Sequence, residues 1–180
     1  MMNRQVIFTT MVIVYFLFYP FRHAISNESS IAAEFSGTLI EASPCTLRPG
    51  DEEITMMFSD ITVRELKEQK RTKGFPFTIH LDNCDISRQG TVKILFTGAE
   101  STGSTGLLMP DPSSTSNGIA IGIETPDGEL LSINDPAKYL SLQIAESTMF
   151  TVQAFIQVDD ESNLTEGTFY ASANYIIEYD

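Results

Sequence analysis

Apolar residues recur at every second position in several short runs of this chain, and clusters of Gly, Pro, Ser, Asn and Asp separate the runs. "FPFTIHL" puts Phe75, Phe77, Ile79 and Leu81 on one side, and "MFTVQAFIQV" does the same with Phe150, Val152, Ala154, Ile156 and Val158. "GTFYASANYIIEYD" alternates in the same way through Phe169, Ala171, Ala173, Tyr175, Ile177 and Tyr179. A two-residue period belongs to a strand with one buried face. Strands are expected at 35–42, 54–58, 75–81, 91–96, 119–124, 130–133, 149–158 and 168–179, so the fold class is all-β, a sandwich or barrel. Residues 59–74, "SDITVRELKEQKRTKG", allow a short exposed helix, but a solvated connection between strands is the preferred reading. Residues 97–118 read as a loop from their Gly, Ser, Thr and Pro content.

The first 26 residues break the pattern. Arg4 precedes a mostly apolar run from Val6 to Phe21, which is short of the roughly 20 residues that cross a bilayer, and Ala24 and Ser26 form a small-x-small site before Asn27. Residues 1–26 are therefore expected to be a cleaved secretory signal, leaving no membrane span in the mature form; a second possible cut follows Ala32. In an oxidising compartment the only two cysteines, Cys45 and Cys84, are expected to be bonded.

Charge and residue counts then narrow the chemistry. The net charge is -13, and affinity for phosphates depends on clustered Lys and Arg that release counterions, so nucleic acid is not an expected partner; most of the positive charge after the signal lies in residues 59–74. His80 is the only histidine beyond the signal segment, and it alternates with core residues. With the cysteines paired, no Cys-His nucleophile and no zinc set can be assembled. The acidic run Asp159, Asp160, Glu161 lacks calcium-loop spacing and reads as a solvated turn. No catalytic residue, metal or cofactor is expected.

The two ends of the mature chain pose a question. The strand at 168–179 has no following strand to cover it, and an exposed edge invites pairing with another chain. Residues 27–34 lead into "IAAEF", in which Ile31, Ala33 and Phe35 share a parity and have no evident place in their own domain. They are either an ordinary first strand or a strand given to another molecule, the arrangement called β-strand addition.

Taken together, "FSGTLIEASPC", "PFTIHLDNC", "ILFTG", "NGIAIGI" and the closing "GTFYASANYIIEYD" resemble the pilin subunits of bacterial chaperone-usher fimbriae, of the type 1 and P pilus kind. The resemblance implies an incomplete immunoglobulin-like β-sandwich at 35–180 that lacks its last strand and is completed by a donor strand. Ile31, Ala33 and Phe35, in and just after the extension 27–34, would form the donor strand. Phe169, Ala171, Ala173, Tyr175, Ile177 and Tyr179 would line the acceptor groove, and the carboxylate of Asp180 would be held by a periplasmic pilus chaperone. The implied partners are that chaperone, an outer-membrane usher and neighbouring fimbrial subunits; the implied destination is the cell surface, in an adhesive fimbria. The extension is short and has no glycine, which resembles a minor or adaptor subunit, and the chain after residue 26 is too short for a two-domain tip adhesin. The alternative is a self-contained secreted binding module that recognises a host glycan or protein through a loop such as 97–118.

Overall fold

The computed structural model describes residues 36–37, 42–59, 61–87 and 90–180. The segment 1–26, residues Ile31, Ala33 and Phe35, and most of the strand expected at 35–42 lie outside the described residues. The elements, in chain order, are β1 (Thr46–Leu47), α1 (Val63–Gln69), β2 (Phe75–Asp82), β3 (Thr91–Gly98), β4 (Ile119–Glu124), β5 (Leu140–Gln143), β6 (Thr148–Val158), a 3-10 turn (Glu161–Asn163) and β7 (Ala173–Tyr179).

The strands form two antiparallel sheets, ordered β1-β2-β6-β4 and β5-β3-β7. Their inner faces share one core, in which Ile79 and Leu81 of β2, Val92 and Ile94 of β3, and Phe150, Val152 and Ile156 of β6 are completely buried. Each large apolar side chain enclosed in this way contributes about 1.5–3 kcal/mol. Phe77 and Phe96 meet edge-on across the gap between the sheets, with ring centres 6.4 Å apart. This order matches strands A-B-E-D and C-F of an immunoglobulin-like sandwich, whose strand G would pair with the edge of β7 that β3 leaves free. The fold is that sandwich without its last strand.

The Cys45–Cys84 disulfide joins the start of β1 to the end of β2 across a sequence separation of 39 residues. The outer face of β6 carries a second, smaller core. Phe155, 2 % exposed, lies with Leu107, Ala120 and Leu130, and the Arg71 guanidinium sits 3.7 Å from the centre of its ring. Arg71 also pairs at 2.7 Å with the buried carboxylate of Glu124. A side chain on Gly122 would meet the Phe155 ring at 2.1 Å, so glycine is what lets the ring lie flat on β4.

The structure corrects several expectations. Residues 63–69 are helical rather than a solvated connection. The Thr62 hydroxyl accepts from the Glu65 amide at 3.1 Å, Lys70 closes the helix in the left-handed region, and Leu66 anchors it in the core. Thr62-x-x-Glu65 is the capping pattern that announces such a start. Residues 54–58 keep their alternating burial but join no ladder among the described residues. Leu131 and Ile133 are buried as expected, yet 130–133 is not a strand, because its bonds go to separate places: the Leu131 amide to Ile123, the Ile133 amide to Gly106, and the Asn134 side chain to both backbone groups of Gly98. Strand β7 begins at Ala173 instead of 168, because residues 168 and 170 bond to the loop at 111–116. Gly167 passes so close to that loop that a Cβ would lie 2.6 Å from the Ser116 nitrogen. The short strand β1 has no alternation to detect, and β5 was missed although Leu140, Leu142 and Ile144 alternate.

Replacing both cysteines by alanine frees a loop of this length in the unfolded chain, and the chain-entropy relation puts the loss near 4 kcal/mol. Urea unfolding of the oxidised protein and the double variant measures this directly, and coincident midpoints would exclude it.

Candidate functional site: the open edge of β7

Strand β7 alternates as an amphipathic strand should: Tyr175, Ile177 and Tyr179 are half-buried, while Asn174, Ile176 and Glu178 are exposed. Upstream, Phe169 and Ala171 are half-buried on the same parity; Ala173 departs from it and is exposed. β3 holds one edge, with Ile94 opposite Ile177 and Phe96 opposite Tyr175. The other edge has no strand against it among the described residues. The apolar row of β7 is thus half-covered at Tyr175, Ile177 and Tyr179, whereas Ile79 and Leu81 of β2 and Phe150, Val152 and Ile156 of β6 are completely buried.

Across the open edge stands the stretch 51–61, which supplies a second half-buried apolar row of Ile54, Phe58 and Ile61. Two contacts tie it to the β7 side. The Tyr175 hydroxyl donates to the Asp51 carbonyl, and the Phe58 ring lies 5.8 Å from Phe169 and 5.1 Å, edge-on, from Phe75. Because 51 meets 175 and 58 meets 169, the two rows run in opposite directions with side chains, and not a hydrogen-bonded ladder, between them. The site is a groove with apolar walls and one strand edge free to bond.

At its Phe169 end the groove deepens into a cleft of about 340 Å³. Ile61, Val63 and Leu66 wall it on one side, Ile119 and Ile156 form its floor, and Leu164 and Phe169 close the other side. At the Tyr179 end the backbone of Asp180 exchanges hydrogen bonds with Thr91, at 2.9 and 3.3 Å, and its side chain pairs with Lys93. That hydrogen bond raises the Lys93 pKa above its ordinary value.

Asp51 is the polar centre of the groove wall. Its carboxylate accepts from the His80 amide at 2.7 Å and faces the His80 Nδ1 at 2.9 Å, so the residue whose carbonyl receives Tyr175 also grips β2 in the opposite sheet. Partial burial works to raise the Asp51 pKa, but the two His80 contacts and the nearby charge of Arg48 outweigh it and hold the group below its usual value. Arg48 clamps Asp82 with two bonds of 2.8 and 2.9 Å and depresses that carboxyl as well. Burial pushes the Tyr175 hydroxyl up, aided by the charges of Asp51 and Glu52, which keeps it a donor at neutral pH.

The acidic run has local duties. Asp159 accepts from Ser101 at 2.8 Å, Asp160 caps the 3-10 turn through Ser162 and Asn163, and Glu161 pairs with Lys70 at 2.7 Å. Among the described residues no group of three or more His, Cys, Asp or Glu side chains is placed to hold a metal. Of the residues singled out from sequence, the structure gathers Phe169, Ala171, Tyr175, Ile177 and Tyr179 along one row; Ile31, Ala33 and Phe35 lie outside the described residues. Sequence reasoning missed the opposite wall. The alternation of Ile54 and Phe58 was visible but read as an ordinary strand, and nothing in the sequence marks Asp51.

A family model described as "Fimbrial protein" matches residues 33–180. The chain is 26% identical over 174 residues to the uncharacterized fimbrial-like protein YgiL of Escherichia coli, covering 88% of this chain and 90% of that one. It is 27% identical over 150 residues to the major MR/P fimbria protein of Proteus mirabilis, covering 81% and 82%. Among solved structures, the P pilus rod subunit PapA superposes with a TM-score of 0.67 at 22% identity, over 77% of this chain and all of that one. A chaperone-usher pilus subunit superposes with a TM-score of 0.64, also at 22% identity, over 85% and 97%.

The Asp51 carboxyl is depressed in the folded state, so its stabilisation is complete above the unfolded value of about 3.9 and is lost as pH falls through the folded one. Asp51→Asn is therefore expected to melt below the wild type at pH 7, by a margin that narrows as the pH is lowered below about 3.9. A gap that does not narrow down to the lowest pH at which the wild type stays folded would assign the effect to packing. Tyr175→Phe removes one hydrogen bond and is expected to cost about 1 kcal/mol in a urea titration.

Proposed function

From the premise that the chain belongs to the fimbrial protein family, whose model spans residues 33–180, we propose that it is a structural subunit of an adhesive fimbria that assembles by donor-strand exchange. The observation that carries this reading is the free edge of β7 beside a second apolar row. A strand laid there would satisfy the edge's backbone groups and complete the sandwich, and its alternate side chains would enter the groove for specificity. In this reading Ile31, Ala33 and Phe35 of one subunit fill the groove of the next, and the groove of a newly exported subunit is first covered by a strand of a periplasmic chaperone. That chaperone hands the subunit to an outer-membrane usher, and the fimbria carries the subunit to the cell surface, where it supports adhesion. The Tyr179 and Asp180 end of the groove is the proposed place of chaperone anchoring. In this reading the carboxylate of Asp180, held by Lys93 in the free subunit, is the group that a basic cleft of the chaperone takes over. The short extension supports placement as a minor or adaptor subunit. Folding, polymerising and presenting a surface need no catalytic group, and the subunit acts without one.

The test is size-exclusion chromatography with mass analysis of the oxidised exported chain, with and without a synthetic peptide of residues 27–38. The expected outcome is self-association alone and a monomer of higher melting temperature with the peptide. A chain that is already monomeric and thermally indifferent to the peptide would overturn the proposal. In cells, Ile31→Asp is expected to block insertion into a neighbour while leaving periplasmic levels unchanged. Deletion of Tyr179 and Asp180 is expected to lower those levels first, read by immunoblotting of periplasmic extracts.

A further inference from the structure

The chain concentrates its positive charge in one place. Five of the nine Lys and Arg residues after position 26 fall within residues 64–73, in a chain of net charge -13. The structure puts this segment on α1 and the turn after it. Lys70 and Arg71 have partners, Glu161 and Glu124. Arg64, Lys67 and Lys73 are exposed and make no ion pair among the described residues. Arg64 and Lys67 are three residues apart and so share one helix face. The adjoining face, through Val63 and Leu66, walls the deep end of the groove. On α1, Lys67 borders the wall formed by Val63 and Leu66, and Arg64, which shares its exposed face with Glu68, lies one step further round, so these two cations stand beside the rim of the site.

Resting on the donor-strand reading of that site, we propose that this basic rim is a docking surface for carboxylates of the next copy of the subunit, with Glu34 as its principal contact. Two geometric steps lead there. Strands in an immunoglobulin-like sheet alternate in direction, so a donor beside β7 runs antiparallel to it and leaves the groove at the Phe169 end, where α1 stands. If Ile31, Ala33 and Phe35 point into the groove, the two-residue period turns Glu28, Ser30, Ala32 and Glu34 outward. Glu34, the last of these before the donor's own domain, then arrives at the rim that carries Arg64 and Lys67. The rest of the incoming copy is strongly acidic, so its field draws the same end toward the rim. Such complementarity at an interface edge speeds association more than it deepens affinity, and salt weakens it.

The experiment follows the rate at which fluorescent peptides of residues 27–38 enter the exported chain, by stopped-flow anisotropy at 50 and 500 mM NaCl. At low salt the Glu34→Lys peptide is expected to enter the wild-type chain about three- to tenfold more slowly than the native peptide, with the gap closing at high salt. An Arg64→Glu/Lys67→Glu chain is expected to reverse the preference, and its melting temperature reports whether the fold is intact. Equal rates for both peptides at 50 mM NaCl, or no reversal in a folded double variant, overturn the proposal. If the native peptide enters at neither salt concentration, the groove reading itself fails, a distinct result. Vesicles of phosphatidylglycerol and phosphatidylcholine serve as a counter-probe: charge-dependent vesicle binding with charge-blind peptide entry would assign the rim to a membrane and remove the second copy as its occupant.

Discussion

The constraint on which the structure turns is the backbone of β7. A strand in the middle of a sheet spends its hydrogen-bonding groups on two neighbours, and β7 has one among the described residues. The facing residues 51–59 and 61 bring apolar side chains toward the β7 row but no ladder, so side chains alone connect the two rows among the described residues. The other unusual features of this region follow from that open edge. The β7 row is half-exposed, Phe58 and Phe169 touch at one end, and Tyr175 reaches Asp51 at the other. The long contacts are what hold the walls at a fixed separation when no strand stands between them.

The remaining architecture keeps the groove from collapsing. The disulfide fixes β1 against β2, and the Arg48–Asp82 and His80–Asp51 pairs pin the turn at 48–51 to β2. The helix α1 walls the Phe169 end on one side, capped by Thr62 and seated by Leu66. Relatives with quite different sequences share the fold at about 22% identity, which is the expected result when the essential requirements are a pair of apolar rows and an unfilled edge and not particular side chains.

Much of this was legible in the sequence, because burial on one face imposes a period that survives any choice of apolar residue. Strands β2, β3, β4 and β6 were placed within two residues at each end, and the odd-numbered row of β7 was read correctly apart from Ala173. The failures have separate physical causes. At 130–133 the apolar alternation is real, but the backbone amides of Leu131 and Ile133 bond to two separate neighbours, and period alone does not reveal bonding partners. At 168–172 the same period continues while the chain leaves the sheet to bond with the 111–116 loop. The helix at 63–69 is only seven residues long with one buried side chain, too short for a helical period to declare itself. Asp51 is the first of three consecutive acids, with Glu52 and Glu53, and its importance comes wholly from what the fold brings to it.

The Phe155 stack has a mechanical consequence. The β1-β2-β6-β4 layer is packed on both faces: its inner side faces the main core, and its outer side carries Phe155 pressed on Gly122 beneath the Arg71 guanidinium. Peeling β4 from β6 must therefore break two apolar seams at once, whereas β7 is held by one. The doubly packed layer is thus the stiffer of the two, and local opening of this domain is expected to begin beside β7 while the other layer keeps its shape.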